Sequence, residues 1–398
     1  MCDELCSVPL RFSANGDSIL DQKPRCRVNY GRRVFTQVHV DRGIPLADSR
    51  YQKQMLFHGI GLEGQQRISN SRVLLVGCGA LGCVLADSMV RAGVGHVRIV
   101  DRDFVELTNL QRQSLYDEQD VADHIPKAIA AERRLRRVNS QIEIQAIVAD
   151  VDFSNLDELA RGTSLILDGT DNFEIRYLIN DVSLDTGIPW IFTGCTGGSG
   201  QVMPVLPGTG PCLRCLMPFP PPPGATETCD TAGVLGPAIG MLASFQAAIA
   251  LKILAGHRDQ VEQRLTIIDA WNGAFRHVDV SHLRNSTACP ACHNRERLWR
   301  NGNQRAASTV LCGRNSVQIT PPEKVTFQLA ELAERLKKSG TVTQNRFLVR
   351  LTLPDVEHTS ENPESAVEIT IFPDGRAIIR GTSDPGIARS LYSRYIGS

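Results

Sequence analysis

The chain has no net charge. Its 398 residues carry 43 Lys and Arg against 43 Asp and Glu, so no overall field draws it to nucleic acid or to an anionic membrane. It also lacks any interleaving of aromatic with basic residues, which removes the usual single-strand binding surface. The basic run Arg133, Arg134, Arg136, Arg137 reads as a solvated helix face. The opening "MCDELCSVPL" has neither a basic start nor an apolar segment and does not resemble a secretory signal, so a cytoplasmic protein is expected. Long hydrophobic runs are scarce. The one from Pro237 to Ala255 is interrupted by Ser244, Gln246 and Lys252 and opens on a helix-starting proline, which reads as a buried core helix and not a membrane span. No internal repeat is present.

Cysteine is what the chain does have, 12 in all. In a long chain without a signal segment these point to metal or thiol chemistry, not to a disulfide scaffold. Cys212 and Cys215, and again Cys289 and Cys292, form two C-x-x-C pairs. Together they offer four thiolates for a closed, structural Zn²⁺; either pair alone would equally suit a redox dithiol.

The alternation of elements from Arg72 predicts an α/β fold, a Rossmann-like doubly wound and mainly parallel sheet. The expected order is strand 72–76, helix 80–92, strand 96–100, helix 127–138, strand 142–148, a further helix and strand 164–167. Two strands after Pro189, the helix from Pro237 and strand 264–269 complete the unit. Residues 1–46 read as a partly disordered extension, 47–299 as the main domain and 300–315 as a polar linker. Residues 316–398 read as a small α+β accessory domain with helices 325–338 and 384–395, three strands, and a "PDG" hairpin turn.

Between the first strand and helix lies "GCGALG", which places Gly77, Gly79 and Gly82 in the phosphate-loop spacing; Asp101 ends the next strand, where an acid binds ribose hydroxyls. These two features alone also permit a nicotinamide dehydrogenase. The polar segment that follows does not suit one: Asn109, Gln111, Arg112 and Gln113 crowd at the crevice mouth, where an arginine fork can grip phosphate. Lys127 starts a helix against the macrodipole, a cost that an anion would offset. Asp168 and Asp171 end a parallel strand on the same crevice. Asp171 suits Mg²⁺ bound against phosphates, or a helix cap, and Asp168 is the weaker candidate. Cys229 precedes the long helix in a Gly/Pro-bounded loop and reads as a nucleophilic thiol or as an inert one; Cys195 is a second candidate, while Cys78 and Cys83 are explained by packing.

The set "RYQKQMLFHGIGLEGQQRI", "GCGALG", "DRDFVELTNLQRQ", "PK", "DGTDN", "CLRC", "TCDTAGV" and "CPAC" resembles the ThiF/MoeB/HesA family of ubiquitin-activating-enzyme-like adenylyltransferases over about residues 50–295. The resemblance implies MgATP-dependent adenylation of the C-terminal glycine of a ubiquitin-like sulfur carrier protein ending in Gly-Gly, for thiamine or molybdopterin synthesis. A homodimer is implied as well. It brings the three glycines close to ATP, Asp101 to the ribose, Asn109, Arg112 and Lys127 to the phosphates, Asp171 to Mg²⁺, and matches Cys229 to the family's thiol. Two departures stand out. Lys53 sits where many members carry an arginine that reaches the neighbouring subunit, which leaves Lys53 or Arg50 for that task. The tail has no rhodanese cysteine loop, so a cysteine desulfurase or another protein would donate sulfur. A member acting on another carboxylate or on a tRNA-modification substrate is the alternative.

Overall fold

A computed structural model of the chain describes residues 50–221, 232–286, 289–302, 308–311, 315–321, 325–353 and 367–397. The extension expected over 1–46, and Cys229, lie outside the described residues.

Two short helices lead in, α1 (Gln52–Met55) and α2 (Gly61–Ser69). The alternating unit then runs β1 (Arg72–Val76), α3 (Ala80–Ala92), β2 (His96–Asp101), α4 (Glu118–Ala122), α5 (Lys127–Val138), β3 (Glu143–Val148), α6 (Leu156–Ala160), β4 (Leu165–Asp168), α7 (Phe173–Thr186) and β5 (Trp190–Thr196). It continues with β6 (Ser199–Val205), α8 (Leu213–Leu216), α9 (Gly236–Leu254), β7 (Arg264–Asp269), β8 (Ala274–Asp279) and α10 (Leu283–Ser286). The sheet order is β3-β2-β1-β4-β5-β6-β7-β8. The first five of these strands pair in parallel, and β6, β7 and β8 extend them as an antiparallel meander. The parallel strands are buried on both faces, as Leu74, Leu75, Ile166 and Leu167 show, because helices cover each side.

α9 has the length and composition to cross a membrane, yet half of its apolar window is buried in the protein. It packs on α3 and under β5 and β6. Its polar interruption explains itself: the buried Gln246 amide donates to the carbonyls of Asp168 and Ile191, at 3.2 and 3.1 Å. This is the core helix that the interruptions predicted.

The remaining elements are β9 (Ser308–Leu311), β10 (Ser316–Ile319), α11 (Leu329–Leu336), β11 (Thr341–Gln344), β12 (Val349–Thr352), β13 (Glu368–Ile371), β14 (Ala377–Arg380) and α12 (Pro385–Tyr395). They build a six-stranded sheet in the order β11-β12-β13-β14-β10-β9, antiparallel throughout. β13 and β14 form the expected hairpin through Pro373, Asp374 and Gly375, with Gly375 at φ 84°. Asp384 caps α12, its carboxylate accepting from the Gly386 and Ile387 amides. Among the described residues, 316–398 hold five strands where three were expected, β10 and β11 being the additions. The segment 300–315 is no plain linker, since β9 within it pairs with β10. α11 begins at Leu329 and not at Val325, because the Phe327 amide is held by the Pro373 carbonyl and Gln328 is extended.

Candidate functional site

The strand order reverses between β1 and β4, and an open α/β sheet binds its ligand in the crevice outside such a point. Two glycines meet there. Gly77, directly after β1, has φ 85°, and a Cβ on it would lie 2.8 Å from the carbonyl oxygen of Gly169, directly after β4. A Cβ on Gly82 would collide with the Gly77 carbonyl, so that glycine serves close packing of α3 on the loop. Gly79 ends the loop at the N-terminus of α3, and space around it is open up to the Gln113 amide.

Asp101 closes β2 beside this loop. One carboxylate oxygen accepts from the Cys78 amide at 2.6 Å and the other from the Asp103 amide at 2.7 Å. Burial pushes its carboxyl up, against the pull of Lys127. Lys127 itself is buried at the start of α5, its Nζ 3.2 Å from the Asp103 carboxylate. The cost of a cation at a helix start is thus offset in part by a carboxylate of the chain, and the anion expected from sequence is not needed to explain its position.

The segment after β2 folds as a 3₁₀ turn over Leu107–Asn109 that Glu106 and Asn109 cap reciprocally. Asn109 is buried. Arg112 is half-buried, its guanidinium donating to the Thr108 carbonyl at 2.9 Å. It borders Gly236 at the start of α9. Gln113 is buried against the glycine loop, and its Oε1 accepts no hydrogen bond among the described residues. Gln111 is exposed.

The two strand-end aspartates have different parts. Asp168 is fully buried and accepts from Arg176 Nε at 3.0 Å, from the Thr170 amide and hydroxyl at 2.9 and 2.8 Å, and from the Thr193 amide at 3.2 Å. It fastens the β4–α7 turn. Asp171 is exposed on that turn, and the helix cap is Asn172, whose side chain accepts from the Glu174 amide. Asp171 is therefore not the cap. Sequence reasoning overlooked two arginines here. Arg176, from α7, is buried and also donates to the carbonyls of Thr170 and Thr193. Arg102 faces Asp150 at 3.0 Å and Asp103 at 3.8 Å; burial opposes its charge, but these carboxylates and Asp171 hold its pKa above the ordinary value. The acid-Arg-acid order of Asp101, Arg102 and Asp103 was the signal available.

The second cluster stands apart. Cys212, Cys215, Cys289 and Cys292 place their sulfurs within 4.8 Å of one another. The separations are 3.7 Å for Cys212 to Cys289, 3.8 Å for Cys215 to Cys212 and 3.7 Å for Cys215 to Cys292. A Zn–S bond of about 2.3 Å sets the edge of a tetrahedron at about 3.8 Å, so the four sulfurs fit one Zn²⁺. The Cys289 sulfur also accepts from the Cys292 amide at 3.5 Å. Of the other cysteines, Cys78 and Cys83 are buried, as packing required, and Cys195 is half-buried in β5.

Residues 51–291 match the ThiF family. The chain belongs to that family. Among its relatives, the sulfur carrier protein ThiS adenylyltransferase of Bacillus subtilis is 41% identical over 349 residues, 87% of this chain and 99% of that one. The sulfur carrier protein adenylyltransferase of Thermus thermophilus is 40% identical over 61% of this chain and 90% of its own. The fold is also that of E. coli MccB crystallised with ATP, with a TM-score of 0.54 at 19% identity over 62% of this chain and 75% of that one.

Proposed function

We propose that the chain adenylates the C-terminal glycine of a ubiquitin-like sulfur carrier protein ending in Gly-Gly, using MgATP, in thiamine or molybdopterin cofactor synthesis. The observation that carries this reading is the match to the B. subtilis ThiS adenylyltransferase, which runs along nearly all of that protein. A carboxylate oxygen of the carrier attacks the α-phosphorus of ATP, the bond to the bridging oxygen breaks, and pyrophosphate leaves. The glycine loop positions the phosphates and Asp101 takes the ribose. Arg112, Asn109 and Lys127 oppose the negative charge that builds on the phosphates. Lys127 acts from a position that burial and the Asp103 carboxylate restrain. Asp171, exposed at the crevice and free of the capping duty, would hold Mg²⁺, which neutralises phosphate charge when bound.

The four thiolates would hold one Zn²⁺ and tie the α8 segment to the chain beyond α10, with no ligand position left open for catalysis. Cys229 is proposed to take part in the later sulfur transfer, with a cysteine desulfurase or another protein as donor. The working unit is proposed to be a homodimer in the cytoplasm. Arg50 already donates to the Val138 carbonyl at 3.0 Å in its own chain, whereas Lys53 is exposed on α1, beside exposed Leu56 and Phe57. Lys53 is therefore the better candidate to reach a second subunit.

ATP–pyrophosphate exchange measured with purified carriers of the thiamine and molybdopterin types tests the reading. Exchange that requires one of them is expected. Exchange with neither would overturn the choice of substrate.

A further inference from the structure

The C-terminal sheet is docked on the part of the main unit that carries the nucleotide residues. Leu348, Phe372 and Ile378 are buried in one cluster with Phe104, and the Arg350 guanidinium lies 5.0 Å from the centre of the Phe104 ring. Arg380 pairs with Glu106, the residue that caps the turn bearing Asn109. The Asn345 amide donates to the His124 carbonyl at 3.1 Å, and Gln318 donates to Asp150 at 2.6 Å. These contacts grip both ends of the crossover from β2 to α5 and the turn after β3.

Between the two sheets a cavity of about 130 Å³ remains, lined by Val148 at the end of β3 and by Arg346, Phe347, Phe372, Pro373, Asp374 and Arg376. Its position follows the expected course of a nucleotide. With phosphates over Gly77 and ribose at Asp101, the base must continue outward past β2 toward β3. Asp101 pairs in parallel register with Val148, so the two side chains leave the sheet on the same face. Sites for whole small molecules begin at about 300 Å³, so this space suits one ring system of a ligand whose remainder lies elsewhere.

The lining has the chemistry of such a ring. Phe347 is half-buried and Phe372 buried, with the guanidinium of Arg346 4.5 Å from the first ring's centre and that of Arg376 4.7 Å from the second's. Arg376 is 3% exposed, and its Nε is bound to Asp374 at 2.7 Å. Its Nη1 has no acceptor among the described residues. A buried donor left without an acceptor is costly, and a purine supplies acceptor nitrogens on an aromatic plane. We propose that the C-terminal sheet completes the nucleotide site by walling the adenine base, with Phe347 stacking on it and Arg376 donating to a ring nitrogen. This deepens the ATP reading and rests on it.

The test uses the full chain and direct binding. Phe347→Ala should weaken both ATP and AMP in calorimetry by at least about fivefold, the lower end of what an aromatic–base stack contributes. Inorganic tripolyphosphate, which has no base, should bind the variant and the parent equally, and Phe347→Trp should restore ATP and AMP. Photolabelling of the parent with 8-azido-ATP should modify a peptide within residues 345–376, a result that does not depend on any variant folding. Parent-like ATP and AMP affinity in a folded Phe347→Ala protein, or label confined to residues 50–299, would overturn the proposal while leaving the adenylation reading intact. If the parent binds no ATP, both fail together. If it binds ATP through Phe347 but shows no carrier-dependent exchange, the wall stands and only the substrate reading falls.

Discussion

Arg176→Met removes one half of a buried ion pair whose other half has no route to solvent. The side chains of Arg176 and Asp168 are 6% and 0% exposed, and their Nε–O distance is 3.0 Å. Without the guanidinium, the Asp168 carboxylate keeps the Thr170 amide and hydroxyl and the Thr193 amide, three neutral donors against a full charge. The carbonyls of Thr170 and Thr193 lose their donor at the same time. Breaking a buried pair from one side costs about 3–5 kcal/mol, and the three remaining donors set the expectation toward about 3. Asp168→Asn should cost a similar amount, because its amide group must oppose two donors wherever it is placed. The double variant removes both charges, so its loss should fall short of the sum of the single losses by at least about 1 kcal/mol. Urea unfolding followed by fluorescence gives the three values. The β4–α7 turn that these groups fasten also carries Asp171, so Arg176→Met should weaken MgATP binding as well. Additive losses would mean that the two side chains are not energetically coupled, and the account of this turn would be wrong.

Asp171→Ala and Arg112→Ala should each slow carrier-dependent pyrophosphate exchange by roughly 10² or more with the circular dichroism unchanged; near-parental rates would remove that residue from the phosphate site. Freshly purified, reduced protein should contain about one zinc per chain, and Cys212→Ser or Cys289→Ser should lose both metal and folded yield; metal analysis with no zinc in the parent would reject the assignment. Burial pushes the Asp181 carboxyl up to about 6, although it accepts from the Trp299 and Arg300 amides. The folded state therefore binds this proton more tightly than the unfolded chain. Its stabilising contribution is full below about pH 4 and is lost as the pH rises through 6, so Asp181→Asn should flatten the stability profile in that window. Cys229→Ser should keep pyrophosphate exchange and lose sulfurated carrier in an assay reconstituted with a cysteine desulfurase; sulfur delivery at the parental rate would leave Cys229 without a part in transfer.

The elements most legible in sequence were those whose ends carry their own chemistry. α3 falls on Ala80–Ala92 as read, since a glycine loop starts it and Gly93, at φ 81°, stops it in a left-handed cap. α5 begins directly after Pro126 and α9 on the Gly236–Pro237 pair, for the equivalent reason at the other end. β8 was missed, because five of its six residues are exposed at a sheet edge and it follows neither an alternating nor a continuously apolar pattern. β9 and β11 were missed on similar grounds: both are four-residue edge strands, in polar surroundings that read equally well as loop. Charge identity was legible at Asp168 and Asp171, but not the division of labour between them. That division depends on Arg176 arriving from one turn into the next helix and on Thr193 from the neighbouring strand, contacts that no local pattern announces.

The same limit applies more strongly to the C-terminal sheet, which in sequence looked like an appendage because it has no cluster of catalytic residue types. Its relation to the site runs through pairs far apart in the chain: Arg380 with Glu106, Arg350 with Phe104, Gln318 with Asp150. Each main-unit partner lies in the stretch "DRDFVE" or in the turn after β3, the two places where a nucleotide's ribose and base would lie in this fold. Pinning the C-terminal sheet there orders the turn that holds Asn109 and Arg112 before ATP arrives, so less of the binding energy goes into ordering a loop. The lack of a cluster of reactive side chains among the described residues of the C-terminal sheet is then what its place requires: a wall for a base needs flat apolar surface and one directed donor, which Phe347, Phe372 and Arg376 provide.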